Sequence, residues 1–190
     1  QIQTFILSCL REIDLDNYDV IIIGTGPAGL GAAFHLVRNN KKIRILMLEM
    51  EKFSTGGLRN DCKMNFTYPI GFPLQNWTKT QSESYLEKVV KDLKPEILDK
   101  SNLSVYFKRA ENLGVELLDV KQTHLGTDGG LKLIKKLIAE LENLGVEIRL
   151  QTEMTGLDKD AKTVETTAGK FNYERLIIAP GRKVFRFLQS

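Results

Sequence analysis

Cysteine is nearly absent from this sequence: Cys9 and Cys62 stand far apart and in no CxxC. That excludes a disulfide framework, and the spacing offers no metal site. Long apolar runs are missing as well, none approaching the roughly 20 residues of a membrane span. Charge of one sign is scarce, with a net +3 and lysines spread along the chain, so nothing argues for nucleic acid or an acidic membrane surface. The opening QIQTFILSCLREIDLDN carries a short apolar patch but no basic start, and Arg11, Glu12 and Asp14 come too soon for a secretion signal. It begins with Gln rather than Met and reads as an amphipathic N-terminal extension over 1–17. A reducing, cytoplasmic setting is expected. With 42% hydrophobic and 27% charged residues, the 190 positions can bury one proper core.

What the sequence does contain is concentrated between Tyr18 and Met50, YDVIIIGTGPAGLGAAFHLVRNNKKIRILMLEM. An apolar run, Val20 to Ile23, breaks into Gly24-Thr25-Gly26-Pro27-Ala28-Gly29, then a helix-forming segment, then a second apolar run ending on Glu49. In a strand–turn–helix unit of this kind the first glycine permits the tight turn and the second lets backbone approach a pyrophosphate. The third lets the helix pack closely on the sheet. Ala33 keeps that contact small. The amides that open the helix face the phosphates, and the helix dipole favours their charge. Glu49, about twenty residues past Gly29, can accept hydrogen bonds from the adenosine ribose. Its charge would repel a 2′-phosphate, which argues against an NADP-type site.

After Glu49 the chain departs from the next strand–helix repeat that a plain NAD domain would show. KFSTGGLRNDCKMNFTYPIGFPLQNW is polar and glycine-containing, with Gly56, Gly57, Arg59, Asp61, Lys63 and Asn65. Such a loop can lay amides and a cation along a phosphate or flavin, or simply be a solvated surface loop. From Thr80 the spacing turns helical, is interrupted at Lys94-Pro95, and resumes from Ser104 to Leu113 with Gly114 as its stop. We read 76–120 as a helical insertion. Trp77 and His124 are single residues, more readily explained by packing or surface than by catalysis. Thr127 and Asp128 can cap a helix over Leu131 to Leu144, and GVEIRLQTEM reads as a third parallel strand. TGLDKDAKTVETTAGKFNYERLIIAPGR then predicts a three-stranded meander with turns at Asp158–Ala161 and Ala168-Gly169. A buried strand, Leu176 to Ala179, follows and ends near Gly181. The fold class expected is α/β, a Rossmann-like parallel sheet with a β-meander crossover that binds a dinucleotide.

Gly24 to Gly29, Glu49, the meander and LIIAPG resemble the FAD domain of the two-dinucleotide-binding flavoproteins. The second signature of that group is an Ala-Thr-Gly turn, and Pro180 stands here in place of the Thr. GGLRNDCKMN and HLGTD resemble segments of FAD-dependent dehydrogenases related to the glutathione-reductase-type flavoproteins. The resemblance covers about Asp19 to Leu188. It implies that Gly24, Gly26, Pro27, Ala28 and Gly29 hold the FAD pyrophosphate and Glu49 the ribose. Gly57 and Lys63 would lie along the pyrophosphate or flavin, and Met154 would offer its backbone to adenine. Ala179 and Gly181 would close over the cofactor. Cys62 stands where relatives carry Gly. In those relatives a cap region follows and the chain returns with a last strand bearing Gly-Asp, for which nothing after Arg182 corresponds. By their strand order Leu176 to Ala179 would then be a sheet edge, inviting aggregation. The domain over 18–190 is therefore expected to be incomplete and to need the rest of a longer chain.

The reading that follows is a flavin-dependent oxidoreductase module working by hydride transfer at flavin N5, with NAD(P)H a candidate electron partner. Substrate and catalytic residues are not assigned. The absence of CxxC argues against a thioredoxin-reductase-like mechanism in this portion. The alternatives are an NAD-binding dehydrogenase domain, which would require a strand–helix repeat after Glu49, and a non-catalytic dinucleotide-binding fragment.

Overall fold

A computed structural model describes residues 17–53, 62–69 and 71–181. Two compact units make up the chain, one formed by Gln1–Asn60 with Asp128–Ser190 and the other by Asp61–Thr127.

The first unit grows from β1 (Asn17–Ile23) and α1 (Pro27–Asn39). Pro27 suits the first helical position because it has no amide hydrogen to leave unpaired. The helix buries Gly29, Leu30, Ala33 and Val37, a three-to-four spacing that makes one apolar stripe. The chain returns as β2 (Ile45–Leu48), every residue of which is buried, as expected of a parallel strand covered on both faces. Later come α4 (Gly126–Asn143), β5 (Glu147–Arg149), β6 (Met154–Asp158), β7 (Thr163–Thr166) and β8 (Gly169–Ile178). The sheet order is β5-β2-β1-β8-β7-β6. β5, β2, β1 and β8 run parallel, while β8, β7 and β6 form the antiparallel meander. The expected α/β fold, with a meander in place of a helical crossover, is the one observed.

Strand alternation sends β1 and β2 into two cores. Val20, Ile22, Ile45 and Met47 meet α1 and Leu141 of α4 on one face. Ile21, Ile23, Leu46 and Leu48 meet Val164 and Phe171 of the meander on the other. The second face is thus covered by the meander's own side chains.

Three sequence expectations need correction. The helix expected from Leu131 begins at Gly126, so Thr127 and Asp128 lie in its first turn rather than capping it. The third meander strand and the strand ending in LII are one continuous β8 of 10 residues, because the polar stretch Asn172 to Arg175 is carried by pairing with β1 and interrupts nothing. Finally, Leu176–Ile178 is not buried: Ile178 is 44% exposed. In the sheet order β8 is internal, but β7 pairs only with Gly169–Asn172 whereas β1 pairs with Asn172–Ile178. The upper half of β8 therefore has one strand neighbour among the described residues.

A charged network ties the strands together. The Tyr18 hydroxyl donates to Glu147 Oε2 at 2.6 Å, and Arg149 Nε donates to Oε1 at 2.6 Å. The Arg44 guanidinium lies 5.3 Å from the Tyr18 ring centroid, and that of Arg149 lies 4.6 Å from Phe171. Burial pushes the Glu147 carboxyl up, but the Tyr18 and Arg149 hydrogen bonds and the charges of Arg149 and Arg44 outweigh it, and the group is held below its ordinary value.

The second unit is described by itself. A short antiparallel ribbon pairs β3 (Lys63–Asn65) with β4 (Gln122–His124). α2 (Lys79–Leu93) starts on a capping box in which Thr78 and Gln81 satisfy each other's backbone. α3 (Leu103–Asn112) follows. Trp77 lies 5.4 Å from Phe72 and 5.5 Å from Tyr85 between ring centroids, so its place is a packed aromatic cluster.

Because the folded-state pKa of Glu147 is lowered, its contribution is present above the unfolded carboxyl pKa of about 4.3 and is lost as pH falls through the lower folded value. Glu147→Gln should therefore cost stability at neutral pH, by under about 1 kcal/mol for a pair this exposed. The cost should vanish in acid. Urea unfolding from pH 7 downward checks this, and a cost that stays constant into strong acid would refute it.

Candidate functional site

At the carboxyl end of the sheet three strands meet on one turn. The Gly24 amide donates to Leu48 O at 2.7 Å, and the Ala179 amide donates to Ile23 O at 2.8 Å. The first glycine is thus held between the ends of β2 and β8. It takes φ +98°, and a Cβ there would stand 2.4 Å from Ala179 O. No side chain fits, and the backbone conformation itself disfavours one. Gly29 is equally constrained, since a Cβ would come within 2.0 Å of Gly24 O. The helix can therefore approach the turn only with glycine at this position.

Gly26 is the N-cap of α1, and it supplies no side-chain cap. The Leu30 amide makes the bond to Gly26 O at 2.9 Å that opens the helix. Amides at the start of a helix lack intrahelical acceptors, and the helix dipole places partial positive charge there. Without a capping side chain, the Ala28 and Gly29 amides can serve an anionic ligand.

Glu49 follows β2 and reaches the same turn. Its Oε2 accepts from the Thr25 hydroxyl at 2.7 Å and the Thr25 amide at 3.1 Å, and its Oε1 accepts from the Glu51 amide at 3.0 Å. The backbone here is fixed as well: Glu49 N–H donates to Arg149 O at 2.9 Å, and Thr152 N–H donates to Glu49 O at 2.8 Å. The sequence pointed to Glu49 but not to Thr25, which is 1% exposed. The available signal was a hydroxyl residue between the first two glycines. Sequence distance to Glu49 gave no reason to pair them.

Gly24, Gly26, Pro27, Ala28, Gly29, Glu49 and Ala179 thus come together around one turn. Gly181, φ +61°, lies two residues beyond Ala179. Met154 opens β6 opposite Thr166, with its side chain partly buried against the meander core. Lys63 belongs to the other unit, where it is the register partner of His124. Gly57, with Gly56, Arg59 and Asp61, lies outside the described residues. Among the described residues no cluster of His, Cys, Asp and Glu could hold a metal ion. No described helix is long and apolar enough to cross a membrane.

A family model described as "Pyridine nucleotide-disulphide oxidoreductase" matches residues 18–189. An uncharacterised protein of Methanosarcina barkeri (strain Fusaro / DSM 804) is 33% identical over 82 residues, covering 40% of this chain and 21% of that protein. Among solved structures, glycine oxidase from Geobacillus kaustophilus superposes with a TM-score of 0.59 at 16% identity, over 86% of this chain and 55% of that one. L-amino acid deaminase from Proteus vulgaris gives a TM-score of 0.57 at 14% identity, over 92% of this chain and 50% of that one. At such identities the likeness carries the fold alone. The chain spans about half the length of these solved proteins.

Alanine scanning of the glycines should separate this turn from the rest of its helix. Gly24→Ala and Gly29→Ala meet backbone oxygen at 2.4 and 2.0 Å and should each cost at least about 2 kcal/mol. Gly31→Ala meets nothing within 4 Å on the same helix and should stabilise by about 0.5–1 kcal/mol. Denaturant midpoints of the three variants decide it, and equal effects at Gly29 and Gly31 would sink the close-approach account.

Proposed function

The chain belongs to the pyridine nucleotide-disulphide oxidoreductase family, and from that premise we propose that it is the FAD-binding module of a flavin-dependent oxidoreductase. The supporting observation is the turn itself. An uncapped helix start, a glycine gripped between strand ends and a carboxylate converge within it. These groups suit FAD: backbone donors for a pyrophosphate, no side chain in the way, and an anionic acceptor for ribose hydroxyls. A 2′-phosphate would meet the Glu49 charge, which favours FAD or NAD over an NADP-type ligand here.

In this reading Gly24, Gly26, Pro27, Ala28 and Gly29 hold the pyrophosphate and Glu49 the adenosine ribose. Met154 offers backbone to adenine, and Ala179 and Gly181 close the site. When bound, FAD would supply hydride transfer at its N5, with NAD(P)H as a candidate electron partner. The chain's residues supply position and electrostatics, and none of them is assigned as an acid or base. The family's name includes disulphide chemistry, yet Cys9 and Cys62 form no CxxC. A redox cysteine pair is therefore not part of the proposal.

We further propose that this module works within a longer protein. Two features support that: the one-sided pairing of Leu176–Ile178 among the described residues, and exposed apolar side chains of the second unit such as Leu113 and Leu118, at 79% and 65%.

Visible absorbance for FAD and titration calorimetry for NAD test the proposal, each ligand offered separately to this chain and to the protein at its natural length. The longer protein is expected to be yellow, and Glu49→Ala to weaken FAD about tenfold or more, as loss of a charged hydrogen bond does. Uptake of NAD without FAD by both would overturn the flavin reading.

A further inference from the structure

Glu49 is held before any ligand arrives. Two donors from Thr25 occupy Oε2 and one from Glu51 occupies Oε1. A carboxylate offers about four acceptor positions, so the remaining one belongs to Oε1. Thr25 itself is 1% exposed, and it sits in a turn whose neighbours are pinned by Gly24–Leu48 and Ala179–Ile23 hydrogen bonds. Its hydroxyl therefore cannot follow a carboxylate that swings away. The long glutamate side chain, which would otherwise lose rotamer freedom on meeting a ligand, is ordered during folding instead.

We propose that Thr25 is a positioning residue: it fixes the Glu49 carboxylate so that Oε1 accepts one adenosine ribose hydroxyl, and it thereby sets how strongly the site senses that hydroxyl. This rests on the FAD reading above. Two consequences are specific. Glu49 takes one ribose hydroxyl, because three of its acceptor positions are already used. Discrimination for that hydroxyl depends on Thr25, which would not touch the ligand with its hydroxyl at all. A glutamate free to rotate would instead accept either hydroxyl and lose little when one is missing.

The test measures dissociation constants in the protein at its natural length, for FAD and for two FAD analogues lacking the adenosine 2′- or 3′-hydroxyl. In the unaltered protein one analogue should bind about tenfold more weakly and the other within about threefold of FAD, the scale of one hydrogen bond to a charged group. Thr25→Val should reduce FAD affinity and shrink the gap between FAD and the sensitive analogue to within about threefold. Thr25→Ser, which keeps the hydroxyl, should restore the gap. Thr25→Ala, smaller and without overpacking, gives the same reading should the valine variant fail to fold. A purely structural role for Thr25 would weaken FAD and both analogues alike and leave the gap unchanged. An unchanged gap in the foldable variants therefore overturns the proposal, as does equal sensitivity to both hydroxyls in the unaltered protein. If the unaltered protein retains no flavin absorbance once unbound FAD is removed, the flavin reading itself has failed, which is distinct from FAD binding with an unchanged gap.

Discussion

There is no room for a side chain where β1 ends. With a Cβ at Gly24 only 2.4 Å from Ala179 O and one at Gly29 only 2.0 Å from Gly24 O, the turn, the helix and the last parallel strand share one close contact. Everything else at the carboxyl end of the sheet is placed by it. β8 can pair with β1 through Ile178 because the Ala179 carbonyl passes over a bare backbone. α1 can lie flat enough for Leu30, Ala33 and Val37 to reach β1 and β2 because Gly29 adds no bulk. A helix start held this close to the strand ends presents its amides from a rigid base, which is what an anion-binding turn requires.

The electrostatics of the turn follow the same economy. Glu49 comes off a fully buried strand and ends beside the helix start, where positive partial charge and the Thr25 donors stabilise it. A buried hydroxyl and a partly exposed carboxylate satisfy each other there, and among the described residues no buried side-chain polar atom lacks a partner. Elsewhere in the same sheet the Tyr18–Glu147–Arg149 network does comparable work for the fold. One network fixes strands; the other fixes the Glu49 carboxylate.

The meander changes what the sheet needs. A helical crossover would have covered the second face with a separate element, whereas here Val164 and Phe171 cover it from strands hydrogen-bonded into the same sheet. Covering and pairing thus draw on the same few residues, and the β7 ladder along β8 ends where Thr163 pairs with Asn172. Among the described residues, the one-sided pairing of Leu176–Ile178 is the consequence.

Much was legible in the sequence because it was local. Glycine spacing, proline at the helix start, three-to-four apolar periodicity and paired turns each act within a few residues, so the strand–turn–helix unit, Glu49 and the meander could be read directly. Helix starts and strand continuity were less legible. Thr127 and Asp128 can either cap a helix or begin one, and the polar run Asn172 to Arg175 signals a break unless β1 is known to lie beside it. What the sequence could not contain was partnership across distance. The segments around Lys63 and His124 read as two separate motifs, and only the folded chain makes them neighbours in one ribbon. Thr25 and Glu49, 24 positions apart, are hydrogen-bonded because parallel strands β1 and β2 end at the same level. Local chemistry determined which elements form, and register between distant strands decided which side chains meet, since pairing energy depends on both partners and neither segment encodes the other.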